Sequence, residues 1–148
     1  MYSLPITAIQ AEFSPLPLPL PLVEGRVRAG FPSPADDFSM KRQDLNDLLI
    51  THPLATFYWQ VAGRSMEEAG IGDGDIIVVN RALKARTGHI VVAQVNGEFT
   101  VKYFRVRAGS IRLVPANPTF PDMVFKEGQD KELIICGVVT ACIKRFVK

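Results

Sequence analysis

Asn96-Gly97 lies between two apolar runs, H-I-V-V-A-Q-V and E-F-T-V-K-Y-F. No other pair of residues limits the possible folds of this chain so sharply. A two-residue type I′ hairpin turn needs positive φ at both central positions, and Asn-Gly is the pair that adopts it at least cost. The turn therefore sets a register. Val95 faces Glu98, Lys102 falls opposite Val91, and Ala93, Thr100 and Phe104 share that face of the ribbon. Ile90, Val92, Phe99, Val101 and Tyr103 take the other face. A lysine is thereby placed mid-strand in a segment with apolar residues on both sides.

The rest of the chain from about residue 55 has the same character. F-Y-W-Q-V, D-I-I-V-V-N, I-R-L-V and L-I-I-C-G-V-V-T-A-C-I are β-branched and aromatic runs separated by Gly, Pro, Asn and Asp. The spacing predicts a mainly β fold of twisted antiparallel sheets. One short helix is expected before His52-Pro53, where Leu45, Leu48 and Leu49 recur at helical spacing behind Ser39 as a candidate cap. Residues 1–38 differ: they hold seven prolines and the tract S-P-L-P-L-P-L-P-L, which suits an extended polyproline arm. The division expected is an arm over 1–38 and a β-rich domain over 39–148.

With 148 residues, 47% of them hydrophobic, the chain can bury one ordinary core. Its 17 basic and 15 acidic residues are too evenly balanced to leave an electrostatic footprint for nucleic acid. No apolar run approaches a membrane span, and the start lacks the layout of a signal peptide, which predicts a cytoplasmic protein. Cys136 and Cys142 form no C-x-x-C and have only His52 and His89 beside them, so buried free thiols are expected rather than a zinc site. G-I-G-D-G-D leads into a strand without a G-K-[ST], and a calcium loop begun at Asp73 would place Lys84 where a glutamate is needed. No metal or cofactor is expected.

Ser65 invites two readings. Ser65-Met66-Glu67-Glu68 matches the S-x-x-E capping box of a helix start. It also stands where an apolar strand-like run stops and an acidic turn begins, and a nucleophile there would need a partner elsewhere in the chain. Lys102 is the group that could activate it: burial disfavours the ammonium, and a neutral amine is a general base. The competing reading of Lys102 is a stem lying on the sheet with its head in water. His89 is the alternative base by hairpin register.

G-F-P-S-P-A-D-D, D-L-N-D-L-L-I, H-P-L-A-T, G-R-S-M, D-G-D-I-I-V-V, G-E-F-T-V-K and C-G-V-V, taken in order, resemble the self-cleaving domain of the LexA and UmuD family. The resemblance spans residues 30–148. It implies a Ser-Lys serine peptidase with Ser65 as nucleophile and, 37 residues later, Lys102 as base. It also implies cleavage of the chain's own Ala29-Gly30 bond. The backbone amides of Ser65 and Met66 would form the oxyanion hole. His89 departs from the family pattern, where an acid is common. The short, proline-rich stretch before Ala29 argues against a repressor's helix-turn-helix.

The same resemblance implies an SOS-response function. Self-cleavage stimulated by the RecA nucleoprotein filament would remove the arm. The product would act as a homodimer with a Y-family polymerase subunit in error-prone translesion synthesis, with the sliding clamp as a further contact and no sequence-specific DNA binding. Two other classes compete: a Ser-Lys protease acting on other proteins, and a non-catalytic β-rich binding module.

Overall fold

The computed structural model describes residues 16–27, 29–30 and 39–147. Two compact units divide between Thr51 and His52. In the first, β1 (Pro19–Val23) pairs antiparallel with β2 (Met40–Asp44), and α1 (Leu45–Leu49) follows directly.

Two expectations change here. From Pro19 onward the proline tract is extended, but as a paired strand rather than free polyproline. Proline has no N–H to give a ladder and is tolerated only where its nitrogen points away from a partner. The Pro-Leu alternation leaves donation to the leucines, and the Leu18 amide bonds Asp44 Oδ2 at 3.0 Å. The helix is also shorter than its leucine spacing suggested. Residues 40–44 are drawn into the ladder, and Asp44, not Ser39, caps α1 by accepting from the Asn46 amide at 2.9 Å. Ser39 donates instead to Glu24 Oε2 at 2.7 Å. The sequence boundary after residue 38 falls between these paired strands.

The second unit is one seven-stranded antiparallel sheet. Its members are β3 (Thr56–Gln60), β4 (Ile76–Asn80), β5 (Ile90–Val95), β6 (Glu98–Arg107), β7 (Ser110–Val114), β8 (Met123–Lys126) and β9 (Leu133–Ile143), in spatial order β3-β4-β9-β5-β6-β7-β8. The mainly β reading holds. The Asn96-Gly97 hairpin has the expected register, with Val95 opposite Glu98 and Val91 opposite Lys102. Asn96 and Gly97 have φ of 48° and 86°, as a type I′ turn requires. A second two-residue turn, Ala108-Gly109, repeats this at φ of 49° and 78° with an alanine where strain is expected, and no comparable turn signal marks it in the sequence.

Both faces of the sheet are buried, which is why its central strands read as nearly continuous apolar runs. One cluster gathers Phe57, Met66, Ile71, Ile77, Val79 and Val92, the other Val91, Ala93, Phe104, Leu113, Phe125 and Val138. Adjacent residues of β5 thus serve opposite cores. The long β9 slips register twice, against β4 and against β5, and such bulges bend a strand and raise its twist. Gly137 lies beside one slip. A Cβ there would stand 2.7 Å from Val79 Cγ1 and 3.1 Å from the Asn80 carbonyl oxygen, so β9 passes where only glycine fits. Cys136 and Cys142 pack on the first cluster as free thiols, though half-buried rather than fully buried as expected. Among the described residues no helix is long and apolar enough to cross a membrane.

Candidate active site

Ser65 sits in the loop between β3 and β4. Its neighbour Met66, only 2% exposed, inserts into the first core cluster and anchors the loop. A single 3-10 turn, Glu67–Ala69, follows and ends on Gly70 at φ 83°. The capping-box expectation fails: no side chain caps this turn, and the Glu68 amide bonds the Ala116 carbonyl at 2.8 Å. The Ser65 hydroxyl is engaged elsewhere.

It lies 2.9 Å from Lys102 Nζ. Lys102 is 6% exposed, so its stem does not carry the head to water. Burial pushes its pKa below the ordinary lysine value. No carboxylate pairs with it among the described residues; its other contacts are Thr100 Oγ1 at 2.7 Å and the Val101 carbonyl at 3.1 Å. All three partners can accept, so an ammonium would donate to each of them. Once the amine is neutral it has two hydrogens and one lone pair, and with Thr100 and Val101 taking the hydrogens the lone pair is left for the Ser65 hydroxyl. Thr100 was not singled out in the sequence, although the hairpin register places it on the Lys102 face two residues earlier.

A cleft of about 270 Å³ opens beside Ser65, with Trp59, Val61, Phe99 and Thr100 among its walls. The Trp59 and Phe99 rings pack at 4.8 Å between centroids. Neither amide of Ser65 nor of Met66 donates to a protein acceptor among the described residues, which leaves both free for an oxygen ligand.

The other candidates lie apart. His89 Nδ1 accepts from the Arg86 amide at 3.1 Å, and His52 Nδ1 meets Asn80 Nδ2 at 2.8 Å; neither contacts Ser65. The G-I-G-D-G-D segment is a turn held by its acids. Asp73 accepts from the Gly63 amide at 2.8 Å, and Asp75 accepts from the Gly72 amide, from Cys142 and from Lys144. The Lys144 ammonium, with the Gly72 amide, holds the Asp75 carboxyl below its usual range. Ala29 and Gly30 are exposed and belong to the other unit. Pro32 and Pro34, expected to keep the chain extended past them, lie outside the described residues.

Comparison with known proteins agrees with the motif resemblance. The Peptidase S24-like family model matches residues 21–140. Protein SamA of Salmonella typhimurium is 42% identical over 137 residues, covering 93% of this chain and 94% of SamA. Protein ImpA of Escherichia coli is 42% identical over 126 residues, 84% of this chain and 83% of its own. The LexA repressor of Halorhodospira halophila is 42% identical over 120 residues, which is 80% of this chain but 52% of the repressor. The chain belongs to the Peptidase S24-like family, as a serine peptidase of the LexA and UmuD type.

Proposed function

We propose that this SOS-related peptidase cleaves its own chain between Ala29 and Gly30, with Ser65 as nucleophile and Lys102 as general base. The observation that carries the reading is the 2.9 Å contact between Ser65 Oγ and a buried Lys102 Nζ that has no carboxylate partner among the described residues. Lys102 takes the hydroxyl proton as Ser65 Oγ bonds to the Ala29 carbonyl carbon. The oxyanion is received by the amides of Ser65 and Met66. The C–N bond then breaks, and the lysine ammonium returns its proton to the Gly30 nitrogen. Water, activated by the same amine, hydrolyses the Ala29 ester.

An Ala-Gly bond offers little steric bulk at either side of the reacting carbon. Cleavage there would release residues 1–29 from the arm assigned to 1–38. The RecA filament would accelerate the reaction by favouring the docked arm, which shifts a population without supplying a base. The 30–148 product would form a homodimer and join a Y-family polymerase subunit, with the sliding clamp as a further contact in the cytoplasm.

Purified protein held between pH 7 and 10 should yield fragments ending at Ala29 and beginning at Gly30, and the Ser65→Ala protein should yield neither. Cleavage of added proteins with the chain itself intact would favour a protease acting in trans. No cleavage of any kind, with or without the filament, would favour a binding module.

A further inference from the structure

The loop joining β7 to β8 grips the Ser65 turn from outside the dyad. Asn117 Nδ2 donates to the Arg64 carbonyl at 3.0 Å, and the Ala116 amide donates to the Ser65 carbonyl at 2.7 Å. Each of those carbonyls shares a peptide plane with one of the two amides that have no protein acceptor among the described residues. Arg64 C=O belongs to the plane that carries the Ser65 N–H, and Ser65 C=O to the plane that carries the Met66 N–H. In a trans peptide the C=O and N–H point in opposite directions, so fixing one end aims the other.

The amide of Asn117 has its orientation settled by its own neighbours. Its Oδ1 accepts from the Thr119 amide at 3.0 Å and the Thr119 hydroxyl at 2.8 Å, which leaves Nδ2 facing Arg64. We propose that Asn117 is a positioning residue for the oxyanion hole, holding the Arg64–Ser65 peptide so that its N–H stays aimed at the reacting oxygen. This rests on the self-cleavage reading above. A hydrogen bond at the carbonyl also polarises the peptide and strengthens its N–H as a donor. Among the described residues Asn117 makes no hydrogen bond with Lys102 or the Ser65 hydroxyl, so its influence falls on stabilisation of the intermediate and not on the base.

Two substitutions separate this from a general packing effect. Asn117→Asp keeps the acceptor for Thr119 and loses the donor to Arg64. Asn117→Ser loses the same donor without adding charge. In the full chain both should lower the alkaline plateau of self-cleavage by about tenfold or more, the scale of a weakened oxyanion donor. The pH midpoint, set by Lys102, should not move. In ¹⁵N-labelled protein the Ser65 amide nitrogen should shift in both variants, because it reports hydrogen bonding to the preceding carbonyl, which then keeps only the longer 3.3 Å bond from the Glu67 amide, while Met66 should shift far less.

Wild-type plateau rates in both folded variants would overturn the proposal. So would a midpoint that moves with the plateau, or an unmoved Ser65 nitrogen. A wild-type chain that never cuts at Ala29-Gly30 would instead sink the self-cleavage reading, with the nitrogen shift still judging the anchor on its own.

Discussion

Lys102 Nζ and Ser65 Oγ, 37 residues apart in sequence, meet at 2.9 Å with the lysine only 6% exposed. The lysine comes from the middle of a ten-residue strand and the serine from a loop held in the core by Met66. A flexible side chain is thereby confined by Thr100 and Val101 to one arrangement against one hydroxyl.

Ser65→Ala should abolish self-cleavage while leaving a folded protein. Ser65 caps no helix, so only its bond with Lys102 is lost, and unfolding in urea should shift by no more than about 1 kcal/mol. Mass spectrometry that finds an Ala29 terminus in this variant would remove Ser65 from the chemistry.

Cleavage should accelerate as pH rises through the folded pKa of Lys102 and then level off, since deprotonation creates the base. Burial lowers that pKa below the unfolded value. Between the two values the unfolded chain binds the extra proton, so this residue's cost to stability grows as pH falls through that window and is constant below it. Lys102→Met should abolish cleavage, flatten that part of the stability profile, and leave stability equal or higher at neutral pH. Rates and urea midpoints measured across pH 6 to 11 check both. A Lys102→Met protein that still cuts would point to another base, with His89 the first to test.

Gly30→Val should slow cleavage at least tenfold by crowding the reacting bond, with no change in the melting temperature. Gly30 is exposed and a Cβ there meets nothing within 4 Å. Fragment masses would show whether a second bond is cut instead, which would move the scissile position.

Gly137→Ala should destabilise the domain by about 1–3 kcal/mol, because the new methyl must displace Val79 or the backbone at Asn80 in a packed core. A urea midpoint equal to wild type would mean that β9 can shift at its bulges without cost.

Local chemistry determined the central hairpin. Asn96-Gly97 dictates positive φ at two residues, and the period-two alternation then places every side chain from Ile90 to Phe104 on its face, Lys102 among them. The main strands were legible for the same reason: β-branched and aromatic runs between turn residues have few other uses. Tertiary structure decided the rest, because the decisive partners are distant in sequence. Residues 40–44 carry no strong strand signal and become strand because Pro19–Val23 lies beside them. The S-x-x-E pattern at Ser65 matches a cap on local grounds, yet Lys102 takes the hydroxyl and Ala116 the Glu68 amide. Motif resemblance named Ser65 and Lys102, but residue spacing by itself did not bring them together. The hairpin register put Thr100 on the Lys102 face, but nothing in the sequence showed its bond to the amine or placed Asn117 against Arg64, 53 residues away. A turn or an alternation is written in adjacent residues, whereas a hydrogen bond between loops exists only after the sheet has fixed where each loop emerges.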